Sequence, residues 1–191
     1  MNTDFRAGHK LWVEIQKRSK KAKRLTACVG YVGRNPADVL RWRKGDSLVA
    51  DISEETVARG ICSARGALKL LNLGVKVFHS PRLHAKVYLF DTSAIVCSAN
   101  ASESSMTRRE AGMVVSGARL GPVRAWVAGL SASHDTVRLD RALLKALAKK
   151  EPKEPAKPNN ANAKKHHVRK AILGTVWLLG AQVRVPAHAD H

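Results

Sequence analysis

Two apolar runs near the middle of the chain carry polar side chains at their ends. In "RLHAKVYLFDTSAIVCSANAS" (82–102), His84 and Lys86 head the first run, and Ser98 and Asn100 tail the second. Alternate residues of a strand share a face, so His84, Lys86 and Tyr88 form one set and Val96, Ser98 and Asn100 another. If Asp91–Thr92–Ser93 closes a three-residue hairpin loop, His84 faces Asn100 and Lys86 faces Ser98. Directly opposed side chains have Cβ atoms about 4.5–5.5 Å apart, so the four would converge at one end of the hairpin. Such a cluster suits phosphate chemistry. Lysine offers a point charge to phosphate oxygens, and serine and asparagine offer neutral hydrogen bonds. Histidine is the side chain that can act as nucleophile or proton carrier near neutral pH. No carboxylate cluster accompanies them, so neither a metal nor any other cofactor is expected. Taken singly, each residue reads better as an ordinary polar group at a strand end. The four at matched parity read as a site.

"HAKVYLFD" fits the pattern H-x-K-x-x-x-x-D in full, and "CSAN" nearly fits G-S-x-N. Over residues 5 to about 130 the chain resembles the phospholipase D superfamily on these two motifs. The resemblance implies that His84 attacks phosphorus to form a phosphohistidine, or serves as the acid. A second motif histidine then protonates the leaving alcohol and later activates water, with no metal. Lys86, Ser98 and Asn100 would hold the phosphate oxygens and stabilise transition-state charge. Glu110, ten residues after Asn100, matches the family's acidic residue and would orient the histidine through its other ring nitrogen. Against this stands the plainer reading of Glu110 as a surface acid beside Arg108 and Arg109. The motif Asp91 falls on the opposite face from His84 and reads as a turn residue. Cys97 stands where the family usually has glycine, and alternation places it on the other strand face from Ser98, as a buried structural thiol. One copy of the motif must supply two histidines. The resemblance therefore implies a homodimer whose two-fold axis brings both copies of His84 to one phosphate.

The elements that must position these residues follow from periodicity. Residues 5–24 read as one helix, with Phe5, Leu11, Trp12 and Ile15 on one side. Strands are expected at 25–32, 47–52, 75–80, across "HAKVYLFD" and "AIVCSAN", and at 110–117. A short helix is expected near 37–43. A longer helix starts at Ser53, with Glu54 and Glu55 in its first turn, and ends at Gly74. Two further helices follow near 122–132 and 136–150. Strands alternating with helices, then a hairpin, predict an α/β fold: a mixed β-sheet flanked by helices, followed by a short C-terminal segment. The expected organisation is a catalytic domain at 1–148, a flexible basic linker at 149–165 rich in Pro, Asn and Lys, and an accessory segment at 166–191.

Charge points to the partner. The 191 residues hold 34 Lys and Arg against 15 Asp and Glu, a net charge of +19. Such an excess favours polyanions, nucleic acid before anionic membrane. The densest run contains Lys17, Arg18, Lys20, Lys21, Lys23 and Arg24, expected to track a nucleic-acid backbone. Its plainer reading is a solvated helix face. Three scattered cysteines without metal spacing, no signal-type apolar core at the N-terminus and no apolar run of membrane-spanning length predict a cytoplasmic protein without a stable membrane anchor. The expectation is a metal-independent phosphodiesterase acting on nucleic acid, with a DNA endonuclease favoured. The alternatives are a phospholipase D-type lipid phosphodiesterase and a non-enzymatic DNA-binding subunit.

Overall fold

A computed structural model of the chain describes residues 4–153, 176–178 and 181–183. Two compact units are present, residues 1–156 and 157–191. In the second, strands β9 (Val176–Leu178) and β10 (Ala181–Val183) pair antiparallel. Most of the expected linker, 154–165, and the rest of the expected accessory segment lie outside the described residues.

The first unit is α/β. Its elements are β1 (Phe5–Ala7), α1 (His9–Lys21), β2 (Thr26–Val29), α2 (Pro36–Val39), β3 (Ser47–Ala50), α3 (Glu54–Ala58), α4 (Ala64–Asn72), β4 (Lys76–His79), β5 (Val87–Leu89), β6 (Ser93–Cys97), α5 (Glu103–Met106), β7 (Ala111–Ser116), α6 (Leu120–Ala132), β8 (Val137–Arg138) and α7 (Arg141–Lys150). The strands form an eight-stranded mixed sheet in the order β1-β7-β6-β5-β2-β3-β4-β8. β2, β3 and β4 are mutually parallel, and the neighbouring pairs involving β1, β5, β6, β7 and β8 are antiparallel. This mixture is what parallel crossovers followed by a hairpin require.

Both sheet faces are covered. Leu11, Trp12 and Ile15 of α1, with Ala67 and Leu70 of α4, pack on Ala27, Val29, Leu48, Tyr88 and Ile95. On the opposite face Val127 of α6 packs with Cys28, Val49, Leu83 and Val87. The alternation of β2 explains the arrangement: Ala27 and Val29 face one layer while Cys28 faces the other.

Several expected elements have different bounds. The stretch 5–24 is not one helix: Phe5–Ala7 pairs with Ala111–Met113 as an edge strand before α1 begins. The helix expected from Ser53 to Gly74 is two helices, broken at Arg59–Ser63, where Gly60 adopts φ 68°. Ser53 caps the first half and Ser63 restarts the second, each accepting a backbone N–H three residues on. Ile61 lies in that break and is exposed. The stretch 136–150 opens with β8 before α7.

The expected linker start at 149 falls inside folded structure. Helix α7 runs to Lys150, and Glu151 is buried, accepting from Ser63 Oγ at 2.8 Å and Arg65 N–H at 2.9 Å. Arg34 adds an ion pair to Glu151 at 3.3 Å. A polar sequence with no apolar period hides a buried carboxylate whose partners lie far back in the chain.

Candidate active site

The hairpin register differs from the expected one by a single residue. Val87 pairs with Val96, Tyr88 with Ile95 and Leu89 with Ala94. Phe90 N–H donates to Ser93 O at 2.8 Å, so the loop is the two residues Asp91–Thr92, not three. A one-residue slip exchanges faces. Lys86 therefore lies opposite Cys97, whose N–H donates to Lys86 O at 3.0 Å, and not opposite Ser98. Cys97 packs against the main core, as expected of a structural thiol, but does so on the face that carries Lys86. Cys97 shares a face with Lys86 and is half-buried. Burial pushes its thiol up to about 11, so at neutral pH it is a protonated side chain and not a thiolate nucleophile.

Ser98 and Asn100 reach the same end of the sheet because the chain leaves the β5–β6 ladder after Cys97. Ser98 N–H bonds Ala111 O at 2.9 Å, and Asn100 N–H bonds Ser105 Oγ at 3.1 Å. Ser105 also fixes α1, because Trp12 Nε1 donates to its carbonyl at 3.0 Å. Asn100 Oδ1 accepts the N–H of Tyr31 at 3.0 Å. That commits the carbonyl end of the amide to the protein and leaves Nδ2 as its remaining donor.

Lys86 is buried, and its Nζ donates to the carbonyl of His84 at 2.5 Å. Burial lowers its pKa below the ordinary lysine value, and the charges of Glu110 and, less, Cys97 oppose that shift. Glu110 is buried as well, and its Oε2 accepts the hydroxyl of Ser98. The expected bond from Glu110 to the His84 ring is absent among the described residues. The carboxylate is taken by Ser98 instead.

His84 is exposed in the irregular segment before β5, three residues outside the ladder. Its ring meets Tyr31 edge-on, with centroids 6.4 Å apart and planes at 71°. The loop that carries it is held by Asp51, whose Oδ2 accepts Arg82 N–H at 3.1 Å while Arg82 adopts φ 59°. Ser80 N–H adds a bond to Ala50 O at 3.0 Å.

Two residues of this site were not singled out from sequence, Gly30 and Tyr31. A Cβ on Gly30 would stand 3.3 Å from Asn100 Oδ1 and 3.4 Å from Lys86 Nζ. Gly30 thus lets the lysine and the asparagine approach one patch of backbone. The available signal was "VGY" at the end of a strand pattern, because glycine in a strand often marks close approach of another group. All these groups lie where β2, β3 and β4 end and where β5 and β7 begin, the end of an open α/β sheet at which ligands bind.

The remaining residues expected at the site lie elsewhere. Asp91 sits at the hairpin turn, where its carboxylate accepts Lys23 N–H at 2.7 Å and Arg24 N–H at 3.0 Å. The basic run is held at the same end: Arg18 pairs with Glu14 at 2.7 Å and donates to Ser93 Oγ at 2.6 Å. A cleft of about 310 Å³ between α1 and the turn is lined there by Lys17, Arg18, Lys21 and Asp91. Seven residues of near-extended chain separate Asp91 from His84, so this end is roughly 20 Å from the site. The structure does not bring the basic run to His84. Among the described residues, no helix is long and apolar enough to cross a membrane.

No family model matches the sequence, and no curated protein matches it. Solved structures do match in fold. Nuc from Salmonella typhimurium, a phospholipase D family member, superposes with a TM-score of 0.54 at 13% identity, over 71% of this chain and 97% of its own. NucT from Helicobacter pylori gives a TM-score of 0.50 at 11% identity, over 71% of this chain and 99% of its own. At such identities the likeness is one of architecture, and in architecture this chain has the phospholipase D fold.

Proposed function

We propose that this chain is a metal-independent phosphodiesterase that hydrolyses nucleic acid, acting as a DNA endonuclease through a phosphohistidine on His84. The observation that carries the reading is the convergence of Lys86, Ser98, Asn100 and Glu110 at the sheet end that exposes His84. An ammonium and an amide beside an accessible imidazole make a receptor for a phosphodiester. In the proposed reaction an imidazole nitrogen of His84 attacks phosphorus and the P–O bond to the leaving alcohol breaks. A second histidine donates the proton that alcohol needs. Water then attacks the phosphohistidine, gives its proton to that second histidine, and the P–N bond breaks. Lys86 and Asn100 hold the non-bridging oxygens, where charge redistributes in both transition states. Glu110 fixes the Ser98 hydroxyl and offsets the buried Lys86 charge.

The second histidine is His84 of another copy of the chain. A two-fold axis at the exposed His84 supplies it without a second motif. The net charge of +19 supports nucleic acid as the substrate. Three free cysteines fit a reducing compartment such as the cytoplasm. Plasmid cleavage in excess EDTA by wild type, and its loss in His84→Ala, is the expected result. Hydrolysis of phosphatidylcholine in place of plasmid would move the substrate to lipid. Mixed wild-type and His84→Ala dimers should be inactive, and full turnover by a verified monomer would exclude the shared site.

A further inference from the structure

Helix α1 spans the depth of the sheet, from the site to the far end. Its start is tied to the site, since Gly8 N–H donates to Glu110 O at 2.7 Å. Its exit is tied to the hairpin turn, through the amides of Lys23 and Arg24 on Asp91. Leu11, Trp12, Ile15 and Ser19 are buried, so the opposite stripe is fixed. That outer stripe exposes Lys10, Val13, Lys17, Lys20 and Lys21, and Lys23 continues it beyond the helix.

The stripe carries no counter-charge of its own. Glu14 is the helix's one acidic residue and is paired with Arg18. Among the described residues, none of the five lysines has an ion pair or a side-chain hydrogen bond. Nor are they needed to cap the helix. Arg43 donates to the carbonyls of Ser19 and Lys20 at 2.6 Å each, and Ala22 N–H closes on Arg18 O. Like charges on successive helix turns repel each other. A row that serves no internal partner and starts beside a phosphate-type site fits an extended polyanion.

We propose that α1 is a rail for a nucleic-acid backbone leaving the active site, with Lys10 nearest the site and Lys23 at its far end. The proposal rests on the reading of nucleic acid as the substrate. It adds a direction and a length. Thirteen helical residues rise about 20 Å, the length of about six base pairs at 3.4 Å each. A substrate confined to the active site reaches none of the distal lysines. One that extends past it engages Lys17, Lys21 and Lys23 in turn.

The test is binding to DNA hairpins with stems of about 3 and about 24 base pairs, followed by fluorescence anisotropy across a salt series. Lys17→Gln/Lys21→Gln is compared with Lys145→Gln/Lys149→Gln, which removes the same charge from exposed positions of α7. Glutamine matches lysine in helix propensity, so both variants should fold. On the long stem the α1 variant should lower the slope of log K against log salt by about 2, from about 0.9 per lost phosphate contact, and the α7 variant should change it little. On the short stem the α1 variant should change the slope by less than half as much. Equal losses from the two variants, or a loss that ignores stem length, would overturn the rail. Scoring cleavage in the same samples separates the two readings. Length-dependent binding without cleavage leaves the rail standing and removes the nuclease. Cleavage with unchanged binding by the α1 variant removes the rail alone.

Discussion

Ser98 Oγ donates to Glu110 Oε2 and accepts the N–H of Ala111 at 3.1 Å, so one hydroxyl joins the end of β6 to the start of β7 beside the buried Lys86. Removing that hydroxyl takes the donor away from a buried carboxylate. Ser98→Ala should cost about 1–3 kcal/mol of stability, the range for an unsatisfied buried polar group, and should slow turnover as well. Chemical denaturation alongside single-turnover cleavage measures both. An unchanged denaturation midpoint would show that the bond carries no structural load.

Lys86 is held charged at a net cost to the fold. Burial lowers its pKa more strongly than Glu110 raises it. The unfolded chain therefore binds this proton more tightly than the folded one. Stability contributed at this position rises with pH across the window between the lowered pKa and the ordinary lysine value of 10.5. Lys86→Met should keep or raise the melting temperature, and the gap from wild type should shrink as pH climbs through that window. Cleavage by Lys86→Met should be lost, and the alkaline limb of the wild-type pH profile should fall before 10.5. A lower melting temperature in Lys86→Met across the whole pH range would contradict the balance of terms.

Asp91 completes the sequence pattern yet serves the turn. Losing its two bonds to backbone amides should cost about 1 kcal/mol, as for a lost helix cap. Asp91→Ala should thus lower the melting temperature and leave turnover within about twofold of wild type. Abolished turnover in a folded Asp91→Ala protein would restore a chemical role to this residue.

Cys97 and Gly112 form a cross-strand pair in which a Cβ on Gly112 would overlap Cys97 Cβ and neighbouring backbone. Gly112→Ala should destabilise by about 1–3 kcal/mol, the usual cost of overpacking. Adding Cys97→Gly should recover part of the loss, and a double-mutant cycle reads the coupling. With its thiol pushed up to about 11, Cys97 should react slowly with thiol reagents at neutral pH, and Cys97→Ala should stay active. A dead Cys97→Ala would place the thiol in the chemistry.

The sequence carried the α/β class and the mixed sheet, because binary patterning survives folding, but it placed His84 within a strand, whereas His84 lies in the loop before β5. Register was the casualty. A choice between two-residue and three-residue loops at Asp91–Ser93 decided which residue stood opposite Lys86, and local composition does not encode that choice. The edge strand at Phe5–Ala7 escaped for a related reason: three residues carry too little period to compete with the helix that follows. Gly30 and the burial of Glu151 depend on contacts remote in sequence, with Asn100 and Lys86 for one and Ser63, Arg65 and Arg34 for the other. The basic run was visible as charge, but its place at the far end of the sheet needed the tie between Asp91 and the amides of Lys23 and Arg24.

The central claim is that His84 bears the phosphoryl group. The most direct measurement is alkaline, denaturing-quench trapping of a labelled phosphoenzyme from phosphate-labelled DNA in excess EDTA, with wild type and His84→Ala run in parallel. If His84 is the nucleophile, wild type should carry a base-stable, acid-labile label that turns over with the substrate, and His84→Ala should show neither label nor cleavage. Cleavage that requires magnesium and leaves no label on wild type, or a label that persists in His84→Ala, would contradict it.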